Sequence, residues 1–166
     1  MKTYIFLILA LISIQFTNAQ SSFVEKCIGT WEGTMIAMKD GKETYSVPVV
    51  LTIEKTEQSD TWTWKTEFIS KTHPVTKDYK LILKDETRNL YVFDENNGIE
   101  LNSYLFGEKL YSVFETSGLL LTSSYELVND KLIFEVTSGK KLESINADVS
   151  NFSVDYVQKV IFEKSK

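Results

Sequence analysis

The chain has few side chains equipped for covalent or acid–base chemistry, and their spacing limits what they can do. It contains one histidine and one cysteine among 166 residues. Those counts exclude a multi-histidine metal cluster, a thiolate zinc site and an intrachain disulfide. His73 stands in Thr72-His73-Pro74. An imidazole there could act as a base or as a haem ligand, but no carboxylate is placed to orient it, so it reads as a solvated turn residue. Cys27 as a nucleophile would need a nearby base and a lowered pKa, and its neighbours supply neither. Next to Ile28, at the onset of a strand, it reads as a buried thiol. The carboxylate pairs Asp85-Glu86 and Asp94-Glu95 lie in turns, and adjacent strand residues point to opposite faces, so neither pair grips a substrate or cation jointly. No phosphate-binding glycine loop, nucleophile elbow or metalloprotease helix is present. The expectation is a protein without catalytic activity, without a metal and without a cofactor.

Composition narrows the remaining classes. Hydrophobic residues make up 43% and aromatics 13%, with only 2 prolines and 7 glycines, which excludes a disordered or collagen-like chain. Acidic groups outnumber basic ones by 23 to 18, for a net charge of −5. A field of that sign repels phosphate backbones and anionic lipid, so nucleic acid is not an expected partner.

Residues 1–19 read as a signal peptide. Lys2 provides the positive start, Tyr4 to Ile14 is an almost unbroken apolar run, and Thr17-Asn18-Ala19 offers small residues where a signal peptidase cuts. About a dozen apolar residues fall short of the roughly 20 that span a bilayer as a helix. The expected protein is therefore exported, periplasmic or secreted, with no membrane insertion of the mature chain. Residues 20–166 form its single domain.

From Gly29 onward apolar and polar residues alternate with period two, interrupted by turn signals. These are Asp40-Gly41, Ser59-Asp60, His73-Pro74, Asp85 to Arg88, Asn96-Asn97-Gly98, Gly107-Glu108, Ser117-Gly118, Asn129-Asp130 and Ser138-Gly139. They delimit about ten strands at hairpin spacing, with at most one short helical turn before them, between Ser21 and Ile28. Successive antiparallel strands leave two edges, and closure into a barrel removes both. The predicted fold is all-β: a single up-and-down antiparallel barrel.

One motif carries a family resemblance. Gly29-Thr30-Trp31-Glu32-Gly33, directly after the leader and at the start of the first strand, resembles the Gly-x-Trp opening of the calycin superfamily, which includes lipocalins and the ten-stranded fatty-acid-binding and nitrobindin-like barrels. The resemblance implies that Gly29 turns the chain into the strand and Trp31 plugs the closed end. The chain departs from those families at three points. Its one arginine, Arg88, is not near the last strand, where lipocalin-like proteins cover the tryptophan. Asp40-Gly41 leaves no room for a helical lid after the first strand. His73 is not placed near the C-terminus, where nitrobindin-like barrels hold haem. Lys164 to Lys166 read as terminal solubilising charges.

Alternation assigns the two faces of the strands. Charges such as Glu32, Glu54, Lys65, Lys80 and Lys159 must face water, which turns their neighbours inward. The inward set combines large rings with hydroxyls and an amide, and buried groups of that kind need hydrogen-bond partners. A barrel of ten strands encloses more room than one of eight. The expected function is binding of a small, mostly apolar molecule inside the barrel by Met35, Val49, Trp62, Trp64, Phe68, Tyr79, Tyr125, Phe134, Tyr156 and Gln158. The alternative is a non-enzymatic protein-interaction or inhibitor module with a filled barrel, acting through an outer apolar patch around Ile36, Met38, Tyr91 and Phe93.

Overall fold

In the computed structural model, which describes residues 22–143 and 148–165, the chain forms one short α-helix followed by ten strands, with a 3-10 turn at Glu86–Arg88 between the fourth and fifth. The leader, residues 1–19, lies outside the described residues. Helix α1 (Phe23–Cys27) is capped by Ser22, whose hydroxyl accepts a hydrogen bond from the Glu25 amide at 3.4 Å. The strands are β1 (Gly29–Lys39), β2 (Lys42–Lys55), β3 (Thr61–Phe68), β4 (Val75–Asp85), β5 (Leu90–Asp94), β6 (Glu100–Phe106), β7 (Lys109–Thr116), β8 (Leu119–Val128), β9 (Lys131–Lys140) and β10 (Tyr156–Lys164). Each pairs antiparallel with the next, and β1 pairs with β10 to close the barrel. Three of the hairpins turn through two-residue loops whose residues both have positive φ: Asp40-Gly41 at 50° and 74°, Ser117-Gly118 at 52° and 73°, and Asn129-Asp130 at 48° and 61°. That backbone matches the natural twist of the flanking strands.

The alternation holds. Trp31, Met35, Val47, Val49, Leu51 and Ile53 are buried, while Glu32, Thr34, Pro48 and Glu54 between or beside them are exposed. Gly33 faces β10 at close range; a Cβ there would lie 2.7 Å from the Ile161 carbonyl oxygen.

Ser138-Gly139, expected as a turn, is strand instead. β9 runs through it to Lys140, and residues 141–155 connect to β10. The cause is a close crossing, because a Cβ on Gly139 would sit 1.7 Å from the Ser153 carbonyl oxygen. The returning chain is pinned there by Ser153 N to Lys140 O and Asp155 N to Ser138 O, each 2.9 Å.

At one end α1 tucks Phe23, Val24 and Cys27 under the strands. Trp31 is 1% exposed, and its Nε1 donates to the Cys27 carbonyl at 2.7 Å. Lys164 lies over the indole, with Nζ 5.1 Å from the ring centroid, and donates to the Lys26 carbonyl at 3.2 Å. A lysine at the end of the last strand thus covers the tryptophan, and Lys164 is a structural cation rather than a merely solubilising one. An ion pair between Lys26 and Glu108 ties the helix to the β6–β7 turn.

The outer apolar patch expected around Ile36, Met38, Tyr91 and Phe93 holds only in part: Ile36 is exposed and Met38 is half-buried. Tyr91 and Phe93 are 5% and 6% exposed and belong to the core. Their strand is apolar on both faces, which hides its parity in the sequence. The exposed large apolar side chains of the outer wall include Phe106, Tyr111 and Val113, with the Phe106 and Tyr111 rings edge to face at 6.1 Å.

Candidate functional site

The end of the barrel away from α1 contains a cavity of about 300 Å³. Its lining comes from the mouth-proximal parts of β3 through β10 and from Glu95 just after β5. β1 and β2 contribute nothing to it, so the hollow is off-centre, against the wall opposite those two strands.

Its floor is aromatic. Tyr125 sits between Phe134, 4.5 Å away between ring centroids, and Phe93, 5.7 Å away. Beneath them Trp64 meets Tyr125 and Phe93 edge-on at 5.0 and 5.5 Å, each at an interplanar angle of 76°. Burial pushes the Tyr125 phenol up to about 12, moderated by the neighbouring polar groups of Trp64 and Thr66. The ring is therefore neutral and a hydrogen-bond donor at physiological pH.

One wall is polar. The strand register places Ser138 beside Tyr156 and Val136 beside both Gln158 and Ser123. Their hydroxyls and amide face the hollow together. The opposite lip is charged. Thr66 pairs with Lys77 and Trp64 with Tyr79, so Lys77 shares the inward parity of Tyr79 at the last turn of the strand before the mouth. Lys77 Nζ lies 5.9 Å from the Phe68 ring centroid and 5.8 Å from that of Tyr79. Burial, then the charge of Glu95, holds the Tyr79 phenol well above the usual range.

Of the ten residues expected to line the interior site, Phe68, Tyr79, Tyr125, Phe134, Tyr156 and Gln158 do so. Met35, Val49, Trp62 and Trp64 face inward but lie outside the lining. Met35 and Val49 belong to the two strands the hollow avoids. Trp62 sits toward the closed end, 6.5 Å from the Tyr91 ring. Trp64 is fully buried beneath the floor. Parity identifies the inside of a strand along its whole length, whereas the cavity occupies only its mouth half.

Sequence reasoning missed Lys77 and Glu95, and also Thr66, Phe93, Leu101, Phe114, Leu121, Ser123 and Ser138. The signal for Lys77 was available, two residues before the inward Tyr79. Glu95 read as part of a solvated turn, yet its side chain reaches the lip while Asp94 accepts the Asn96 amide at 2.8 Å. Phe114 and Leu121 come from strands apolar on both faces, where alternation gives no parity. Val136 had the right parity but stood outside the expected site.

Neither reactive side chain lines the hollow. Cys27 is at the closed end, and burial pushes its thiol up to about 12. His73 is exposed in the β3–β4 loop, at the mouth end but outside the lining. Among the described residues no group of three or more His, Cys, Asp or Glu is arranged to hold a metal ion.

No protein-family model matches the chain, and no curated protein matches it. Solved structures do. An S-type phycobiliprotein lyase from Guillardia theta superposes with a TM-score of 0.63 at 7% identity, over 87% of this chain and 91% of that one. A DUF3598-family protein of unknown function from Nostoc punctiforme gives 0.60 at 14% identity, over 86% of this chain and 49% of that one. The wild-type fluorescent protein UnaG gives 0.50 at 21% identity, over 86% and 99%. At such identities the likeness is one of backbone architecture. With the closed ten-stranded barrel, the tryptophan-plugged end and these neighbours, the chain has a lipocalin-like, calycin-type fold.

Proposed function

We propose that the mature protein is an exported, non-enzymatic carrier or sensor that binds a small, mostly apolar molecule in the mouth-side cavity. The observation that carries this reading is the cavity itself. An aromatic floor faces a wall of hydroxyls and an amide, which is the composition of small-molecule sites. The fold alone does not choose the function, since its neighbours are named for a lyase and for fluorescence. Cys27 at the closed end is remote from the hollow and His73 is not among its lining residues, which supports binding without catalysis. The leader-like residues 1–19 support export.

Titration with N-phenyl-1-naphthylamine tests the binding reading. Saturable probe enhancement with one site per chain is expected, and Tyr125→Ala should weaken it severalfold. Absence of saturable binding in the folded wild type overturns the reading. Export is checked by the N-terminus of protein recovered outside the cytoplasm, which should begin at Gln20.

The protein-interaction reading retains one observation, the exposed cluster Phe106, Tyr111 and Val113, at 68%, 42% and 66% exposure. It predicts that Val113→Glu abolishes capture of a partner and leaves probe binding intact.

A further inference from the structure

Lys77 occupies an unusual position for a lysine in this molecule. The ion pairs found among the described residues engage Lys26, Lys55, Lys65, Lys84, Lys109, Lys131 and Lys159, and Lys77 is in none of them. It has inward parity, lines the cavity at its mouth, and sits near two aromatic rings in place of a carboxylate. A strongly hydrated ammonium over rings keeps most of its capacity to pair with an anion. Glu95, the cavity's other charged residue, accepts a hydrogen bond from Asn97 Nδ2 at 3.3 Å and its charge acts on Tyr79. The lip thus offers one uncommitted positive charge beside one engaged negative charge.

The hollow below has room for a compact body. At about 300 Å³ it lies at the small end of the range for ligand pockets. Its floor of Phe93, Tyr125 and Phe134 suits a flat ring system, because offset and edge-to-face ring contacts are available there.

We infer that the cavity selects compact aromatic or alicyclic molecules bearing a single ionised acid group, with the ring body on the Phe93–Tyr125–Phe134 floor and the acid held at the mouth by Lys77. This rests on the binding function proposed above and adds a ligand class, an orientation and a selecting residue. Glu95 sharpens the choice: it repels a second negative charge, so diacids are disfavoured. The acid stays at the lip, where it remains partly hydrated, and its desolvation cost is small.

The test compares 2-naphthoate, 2-naphthalenemethanol and 2-naphthylmethylammonium by calorimetric titration of the mature protein, with the neutral N-phenyl-1-naphthylamine as a control for occupancy. The acid should bind about fivefold tighter than the alcohol, the size of a half-exposed ion pair. The amine should be the weakest. Lys77→Met should bring acid and alcohol to equal affinity. Lys77→Glu should make the amine the preferred ligand, and Glu95→Gln should tighten the acid further. Equal affinities in the wild type, or an acid preference that survives Lys77→Met, overturn the inference while the neutral probe still reports a working cavity. Failure of the neutral probe and of all three naphthyl compounds overturns the cavity reading and this inference with it.

Discussion

At the closed end of the barrel, Trp31, Leu51, Ile53, Leu81, Leu110, Leu132 and Phe162 are each at most 1% exposed. At the open end, the inward residues Phe68, Tyr79, Tyr125, Tyr156 and Gln158 are only half-buried and border a hollow. Most of the contributing strands serve both ends under one rule of alternation. What differs is side-chain chemistry. Aliphatic side chains and an indole whose N–H is satisfied pack closely around Trp31, whereas rings bearing hydroxyls, serines, an amide and a lysine cannot fill space and satisfy their polar groups together. The closed end therefore supplies stability and the open end supplies a site.

The largest effect expected from breaking that division is at the closed end. Trp31→Ala removes the plug, the bond to the Cys27 carbonyl and the seat of Lys164 together. It should cost about 3–5 kcal/mol in urea unfolding. Glu32→Ala, exposed on the same strand, should leave the midpoint nearly unchanged.

Next comes Gly139→Ala, which sets a methyl group against the Ser153 carbonyl. A loss of about 1–3 kcal/mol is expected, the scale of overpacking. Amide exchange should accelerate in residues 153–155 and remain unchanged in α1.

The closed end also sets an alkaline limit. The Cys27 thiol has its ordinary value of 9.0 in the unfolded chain and about 12 in the fold, because burial favours the neutral form. A raised acid of this kind contributes stability that is fully present below pH 9 and lost as pH climbs toward 12. The slope it adds is at most about 1.4 kcal/mol per pH unit. Urea midpoints measured from pH 8 to 11 should fall, and Cys27→Ala should flatten the decline; a slope unchanged by that substitution contradicts the assignment.

At the open end the effects are smaller and fall on binding. Tyr156→Phe should weaken a bound hydrogen-bonding probe by about 0.5–1.5 kcal/mol with no change in unfolding midpoint. Lys65→Ala and Lys159→Ala lie outside the lining and pair with Glu67 and Glu135 on the outer wall. Both should leave probe affinity unaltered.

The same contrast explains which parts of the molecule were legible in the sequence. Strands with charge on one face, such as β1, β2 and β10, announce their parity because a slip would bury Glu32, Glu54 or Lys159. Turn residues announced most of the hairpins. Gly139 misled because a glycine needed for close crossing and a glycine needed for turning look alike in a sequence. Lys164 was opaque for a related reason: a terminal lysine acquires its role only when closure brings the end of β10 over Trp31. The site was half legible. Parity found Tyr125, Phe134, Tyr156 and Gln158, but no local pattern says how far along a strand packing ends and a hollow begins. That depends on the summed volumes of side chains from eight strands.

The central claim, that the mouth-side hollow is a ligand site, is tested most directly by chemical-shift mapping with N-phenyl-1-naphthylamine on isotopically labelled protein. Saturable shifts are expected at the lining residues Phe68, Phe93, Tyr125, Phe134, Tyr156 and Gln158, with Trp31 and Phe162 at the closed end unmoved. Shifts confined to Phe106, Tyr111 and Val113 on the outer wall would contradict the claim and move the functional surface outside the barrel.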